Sequence, residues 1–289
     1  MENFDYLRPK TLAEAYSALG NGKSSLMLAG GTDVIVMLRE GRKTCDQLID
    51  LKHIPDLMKF GFAADGTLEI GAAVPCARLY EDAGVIARVP ALLDSAHIIG
   101  GIQIQSRASI GGNLCNASPA ADSSPALMAL GATVVIGSSS GTRTIPVEQL
   151  FAGPGRNSLA SNELLLQIRI PAARKNENAF YLRFIPRNEM DIAVASAGAR
   201  LQLDDAAENI VSARLAIGAV GPTPLMVPVE SIIGKPANEA TFRLAGAAAA
   251  ATATPITDMR GSVVQRKQLA SVLTVRAFNG ALQRIREAR

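Results

Sequence analysis

The sequence contains no tryptophan, and its 289 residues include only four tyrosines and eight phenylalanines. Its 29 Lys and Arg residues nearly balance its 26 Asp and Glu residues, and no run of five like charges occurs. Proteins that bind nucleic acid neutralise phosphates with clustered cations, and those that bind single strands usually add stacking aromatics. We therefore expect no nucleic acid among the partners of this chain.

Long apolar runs are missing as well. No stretch approaches the roughly 18 uninterrupted apolar residues of a membrane-spanning helix, and residues 1–5 show no signal-peptide pattern. The three cysteines, Cys45, Cys76 and Cys115, lie far apart without a CxxC pair. They are too few for a disulfide framework, and they cannot hold an iron–sulfur cluster unaided. We expect a cytoplasmic protein with no membrane span.

Histidine is almost absent, since only His53 and His97 occur. Two histidines are too few for a metal site without carboxylate help, and we expect ordinary surface or core roles for both. A GxSxG match at residues 137–141 joins two strand-like segments, so it predicts a hairpin turn rather than a nucleophile elbow.

The spacing of apolar residues predicts an α+β protein that begins with a small α/β unit. Thr11 and Glu14 form a capping-box pattern before a helix that Gly20 ends. Strands at 25–29 and 47–51 and a helix at 34–39 complete this unit, which covers about residues 1–56.

The remaining chain predicts a second unit and then a separate domain. Residues 57–175 contain strand patterns at 67–72, 132–136 and 163–170 and helical patterns at 77–87, 90–98 and 125–130. The polar run 174–178 is typical of a linker, so we place a domain boundary after residue 175. Residues 176–289 predict strands at 197–203 and 212–217 and a mostly helical tail over 239–289.

Two glycine-rich motifs, both predicted as loops, carry the chemistry: Ala29-Gly30-Gly31-Thr32-Asp33 and Ser109-Ile110-Gly111-Gly112-Asn113. Glycine permits a positive φ and a close backbone approach, and consecutive exposed N–H groups form a cradle for an anion such as a pyrophosphate. The second motif continues to Asp122, whose carboxylate suits ribityl or ribose hydroxyls. Either pair alone also fits a tight turn, Asp122 also fits a helix cap, and neither motif has GxGxxG spacing.

Together, the order and spacing of these motifs resemble the FAD-binding (medium) subunit of the xanthine dehydrogenase family of molybdenum hydroxylases. The resemblance covers essentially the whole chain, with residues 190–193 and 218–224 as supporting fragments. It implies an FAD-binding domain of the vanillyl-alcohol oxidase (PCMH) type with two α/β subdomains over 1–175. It also implies that 176–289 form a C-terminal α+β domain like that of carbon monoxide dehydrogenase flavoproteins.

The resemblance also implies a set of cofactor-binding residues. Residues 29–34 would wrap the pyrophosphate, Leu159 would pack near the isoalloxazine, and Arg183 would lie where relatives often carry a lysine near its pyrimidine edge. The full set is Ala29, Gly30, Gly31, Thr32, Asp33, Val34, Ser109, Ile110, Gly111, Gly112, Asn113, Asn116, Asp122, Leu159 and Arg183. Ile99 and Gln105 depart from the aromatic and the arginine that relatives carry there. Asp191 fits either a flavin contact or a structural hydrogen bond.

We expect non-covalent FAD, because neither histidine lies in a matched motif. The resemblance further implies a molybdopterin-binding large subunit, a small subunit with [2Fe–2S] clusters, and NAD or another acceptor. Two alternatives remain at this point. A stand-alone flavoenzyme of the same fold would need a general base, and no convincing acid–base pair is evident. A scaffold without flavin would have no use for the polar side chains of both motifs.

Overall fold

A computed structural model describes residues 3–187 and 190–288 and begins with a three-stranded parallel sheet. The strand order is β1-β3-β2, and a helix lies in each crossover: β1 (Asp5–Leu7), α1 (Leu12–Leu19), β2 (Ser25–Leu28), α2 (Val34–Arg39) and β3 (Gln47–Asp50). The hydroxyl of Thr11 accepts from the N–H of Glu14, which confirms the predicted helix start. The helices α1 and α2 and the strands β2 and β3 lie where they were predicted, whereas β1 was not predicted.

The second sheet has five antiparallel strands in the order β4-β5-β10-β6-β7. Its strands are β4 (Phe60–Phe62), β5 (Leu68–Gly71), β6 (Thr133–Ser138), β7 (Gly141–Pro146) and β10 (Leu164–Ile170), while β8 (Phe151–Gly153) and β9 (Arg156–Asn157) form a separate ribbon. Helices α3 (Cys76–Tyr80), α4 (Ala83–Arg88), α5 (Pro90–Ala96), α6 (Ile102–Gln105), α7 (Ile110–Asn116) and α8 (Ser123–Leu130) lie between β5 and β6. The GxSxG match is the turn between β6 and β7, as predicted.

A third, four-stranded antiparallel sheet follows. It comprises β11 (Glu177–Phe184), β12 (Ala195–Leu203), β13 (Ile210–Gly218) and β14 (Leu225–Val227), and helices α9 (Glu239–Thr252) and α10 (Val263–Glu287) complete the chain. Short 3-10 turns occur at Leu51–His53, Pro55–Met58, Val147–Leu150 and Glu230–Ile232.

The third sheet is covered by helices on both faces. Ala197, Ala199 and Leu201 of β12 pack into the core beneath α9 and α10. Gly198 points the opposite way, where an added Cβ would lie 2.5 Å from the carbonyl oxygen of Pro125 in α8. Because side chains alternate along a strand, this sheet joins the C-terminal helices to the helix that follows the second glycine motif.

Two predictions of secondary structure were wrong. The helix predicted over 77–87 is two helices, because Asp82 caps α4 by accepting from the N–H of Val85. The linker predicted at 174–178 overlaps β11, which was not predicted as a strand. The prediction of a mostly helical tail is confirmed by α9 and α10, which are separated by a non-helical stretch from 253 to 262; its last residue lies outside the described residues. The boundary after residue 175 stays a prediction.

Candidate functional site

The first glycine motif forms the turn between β2 and α2, at the carboxyl edge of the parallel sheet. Gly31 has a φ of +81°, which favours glycine, and its carbonyl accepts from the N–H of Ile35 as α2 begins. Across the described ranges, the backbone N–H groups of Gly30, Gly31, Thr32 and Asp33 donate to no other residue. Four successive unpaired donors ahead of a helix form a cradle for a phosphate-like anion.

Close backbone contact joins this turn to the second motif. An added Cβ on Gly30 would lie 2.0 Å from the carbonyl oxygen of Arg107, two residues before Ser109. The methyl group of Ala29 lies 3.9 Å from the position that a Cβ on Gly112 would take. The structure therefore brings the two motifs together, although they are far apart in the sequence.

The second motif is the start of a helix and not a loop. Ser109 is the N-cap of α7, and its hydroxyl accepts from the N–H of Gly112 at 3.0 Å. Gly111 packs against the residue that follows β5, since a Cβ would lie 2.3 Å from the carbonyl oxygen of Ala72. A positive φ is thus needed only in the first motif, while in the second motif glycine serves close packing.

Asp122 lies in a buried cluster with two residues of β11. Its Oδ1 accepts from the hydroxyl of Tyr181 and its Oδ2 from Nη1 of Arg183, both at 2.6 Å. The side chains of Asp122 and Arg183 are 8% and 7% exposed. Burial raises the pKa of Asp122 to about 6, although Arg183 and Tyr181 lower it. Asp122 makes no side-chain cap bond to α8, so the helix-cap alternative was wrong.

A hydrogen bond joins this cluster to the second motif. The hydroxyl of Ser123, at the start of α8, donates to Oδ1 of Asn113 in α7 at 2.6 Å. Asn116 ends α7, and Ala117 follows with a φ of +50°. Leu159 packs against the central core, which is the hydrophobic cluster between the second sheet and the helices that lie between β5 and β6. Its N–H donates to the side chain of Asn157.

The two departures from the family pattern have structural partners. Gln105 is buried and donates to the carbonyl of His97, while Ile99 is partly buried against the central core. Asp191 accepts from its neighbour Ile192 and from Arg187, so its observed role is a structural hydrogen bond.

Sequence reasoning missed two residues at this site. Tyr181 is 2% exposed and holds Asp122 from a strand that was not predicted. Arg107 provides the backbone against which Gly30 packs. Neither residue lies in a recognisable motif, because each acts through a contact between distant segments.

Comparison with known proteins decides what this arrangement is. Residues 2–173 match the family described as the FAD binding domain in molybdopterin dehydrogenase, and residues 180–281 match the CO dehydrogenase flavoprotein C-terminal domain. The chain belongs to this family of molybdopterin dehydrogenase flavoproteins. The resemblance, the α+β fold class, FAD as the cofactor and the oxidoreductase assignment are therefore confirmed.

Individual members of the family cover most of the chain. The xanthine dehydrogenase FAD-binding subunit of Escherichia coli O157:H7 is 34% identical over 221 residues, which is 76% of this chain and 75% of that protein. The carbon monoxide dehydrogenase medium chain of Hydrogenophaga pseudoflava is 30% identical over 285 residues, covering 97% and 98%. A carbon monoxide dehydrogenase structure from that organism superposes with a TM-score of 0.92 at 29% identity, covering 98% of both chains.

The residues of this flavoprotein fit the cofactor of its family. The unpaired N–H groups at the first motif match the charge of a pyrophosphate, and the close approach at Gly30 leaves no room for a side chain. Within the described ranges no group of His, Cys, Asp and Glu could hold a metal ion, and no helix is long and apolar enough to cross a membrane.

Proposed function

We propose that this chain is the electron-transfer subunit of a molybdenum hydroxylase complex. In this role it receives electrons from [2Fe–2S] clusters on a partner chain and passes them to NAD or another acceptor. FAD, when bound, supplies the ability to exchange electrons singly or in pairs. The chain itself binds the cofactor non-covalently, orients it and controls the charge around it.

The proposal rests on one observation: the turn with four unpaired N–H groups, at 30–33, packs closely against the segment that leads into α7. Such donors hold a pyrophosphate without a charged side chain, because the cradle is fixed by the fold before the ligand binds. We assign the pyrophosphate to residues 29–34 and the second side of the site to Ser109, Ile110, Gly111, Gly112, Asn113, Asn116 and Asp122.

The opposite end of the cofactor is assigned to Leu159 and Arg183. A guanidinium near the pyrimidine edge would stabilise the negative charge that the ring carries after reduction. In the structure Arg183 is paired with Asp122, so the flavin would meet a neutral ion pair rather than a free cation.

In the proposed complex, partner chains hold the molybdenum cofactor and the [2Fe–2S] clusters. The names of relatives describe medium chains and FAD-binding subunits. Two solved relatives are a carbon monoxide dehydrogenase that lacks the Mo-pyranopterin moiety of the molybdenum cofactor and a Cu,Mo-CO dehydrogenase. We therefore assign the molybdenum cofactor to a large subunit and the [2Fe–2S] clusters to a small subunit.

The native complex tests this proposal. Isolation under non-denaturing conditions through a tag on this chain should yield two further chains with flavin, molybdenum and iron in fixed ratio. Acid precipitation should release the yellow flavin into the supernatant, and substrate should reduce the flavin only when all three chains are present. A chain isolated alone with flavin that oxidises a small substrate would support the stand-alone enzyme instead. A colourless chain would overturn both.

The acceptor is tested separately. The substrate-reduced complex is mixed with NAD under anaerobic conditions, and flavin reoxidation is followed at the flavin absorbance band. Rapid reoxidation by NAD supports NAD as acceptor, whereas reoxidation only by a dye or quinone assigns the electrons elsewhere.

A further inference from the structure

We propose that Tyr181 is a positioning residue that keeps the Asp122–Arg183 pair ionised and thereby sets the charge presented to the flavin. The inference rests on the proposed function, because it takes Asp122 and Arg183 to line the flavin site. It assigns a role to a residue that touches the pair and not the cofactor.

The geometry of the pair shows what Tyr181 contributes. Each carboxylate oxygen of Asp122 has one donor, the phenol on one side and the guanidinium on the other, both at 2.6 Å. Tyr181 and Arg183 are two residues apart on β11, so both side chains point to the same face of the sheet. A buried carboxylate needs both donors, because solvent supplies none.

Tyr181 is held in place from other elements. Its backbone N–H donates to Oδ2 of Asp94 in α5, and Arg284 of α10 forms a bidentate pair with the same carboxylate. In the strand register Tyr181 lies opposite Gly198, which packs closely against α8. The phenol is thus fixed before the cofactor binds.

The net charge beside the flavin site depends on whether Asp122 is protonated. Arg183 is the cation that faces it from β11, and the α7–α8 side contributes the neutral pair Ser123 and Asn113. The nearby Asp94 and Arg284 neutralise each other. If Asp122 takes up a proton, Arg183 becomes an unbalanced cation beside the flavin site.

Loss of the phenol should cause that protonation near neutral pH. The pKa of Asp122 is about 6 with the phenol present, and the phenol hydrogen bond lowers it. Loss of a hydrogen bond to a charged group favours protonation about 10- to 100-fold. Tyr181→Phe therefore carries the carboxyl from mostly ionised to at least half protonated at pH 7, and the freed charge of Arg183 favours reduced flavin.

The test is the flavin midpoint potential of the full-length chain loaded with FAD, measured against a reference dye from pH 5 to 8. For Tyr181→Phe we expect the reduction equilibrium at pH 7 to shift about tenfold towards reduced flavin, which is about 30 mV for a two-electron couple. The difference from wild type should shrink at pH 5, where Asp122 is protonated in both proteins. Tyr80→Phe, which removes a partly buried phenol that donates to a backbone carbonyl, should leave the potential unchanged.

Two further variants separate this inference from the proposed function. In the Asp122→Asn background, where the site has no carboxylate to titrate, Arg183→Gln should lower the potential, and an unchanged potential there would remove Arg183 from the flavin site. If Arg183→Gln acts in that background but Tyr181→Phe follows wild type at every pH, only the inference fails. Asp122→Asn mimics the protonated carboxyl and serves if Tyr181→Phe does not fold. The Asp122→Asn variant should raise the flavin potential at pH 7 and remove the pH dependence that comes from titration of Asp122. A plot of potential against pH that matches wild type would overturn the inference.

Discussion

The contact at Gly30 allows a sharp test of how the two motifs form one site. In Gly30→Ala the new methyl group would lie 2.0 Å from the carbonyl oxygen of Arg107, whereas ordinary contact begins near 3.4 Å. The two segments must therefore separate by about 1.4 Å. Overpacking of this kind costs about 1–3 kcal/mol. Cofactor binding requires the closed arrangement, so we expect the dissociation constant of FAD to rise about 10- to 100-fold.

The assay is titration of the FAD-free protein with FAD, followed by calorimetry or by quenching of flavin fluorescence. Gly20→Ala is the matched control, because Gly20 has an ordinary φ of −85° and its Cβ would meet the nearest atom at 3.4 Å. Circular dichroism and thermal unfolding without FAD show whether each variant folds. If Gly30→Ala is folded and binds FAD as tightly as wild type, the close approach of the two motifs does not shape the site.

Three further predictions concern the supports of the site. Ser109→Ala removes the N-cap of α7 and should lower the free energy of unfolding by about 1 kcal/mol in urea titration, while Ser109→Asn should restore it; equal stability of Ser109→Ala and wild type would contradict this. Burial raises the pKa of Asp122 from 3.8 to about 6, so the stability linked to its protonated form is complete below pH 4 and is lost as the pH rises through 6. Asp122→Asn does not titrate, so its free energy of unfolding should rise by about 3 kcal/mol relative to that of wild type between pH 4 and 7. A difference between the two proteins that does not change with pH would refute the raised pKa. Arg284→Met removes a bidentate pair with Asp94, so the free energy of unfolding in denaturant should fall by about 1–3 kcal/mol, and by less at high salt. The control is Arg243→Met, which removes the exposed pair with Glu239 and should change the free energy of unfolding by under about 1 kcal/mol.

Sequence patterns predicted the elements whose signals are local. The helix of α1 begins at its capping residue, and α2 has the bounds that its apolar spacing predicts. The turn at 29–33 was found because its glycines, its position after a strand and its positive φ belong to one short segment. Each of these features depends on contacts within a few residues.

Other elements depend on contacts that no local pattern reveals. β11 begins in a polar run, and its eight residues are held by pairing with β12. The second motif was predicted as a loop because adjacent glycines allow a positive φ and a close backbone approach to a ligand. It forms a helix since Ser109 caps it and Gly111 must pack against Ala72. Tyr181 reaches Asp122 across 59 positions of the chain, so its role became visible only in the structure.

The contacts between α8 and the third sheet bear on how proteins of this kind can be recombined. Arg200 and Arg214 of the sheet donate to the carbonyls of Leu130 and Met128, which end α8, and Gly198 gives that helix its space. A chimera that joins the first 175 residues to a foreign C-terminal half would lose these donors and leave an apolar helix facing the wrong surface. Exchange of cofactor properties between relatives should therefore succeed with whole chains, or with C-terminal halves that carry the two arginines and the glycine at matching positions.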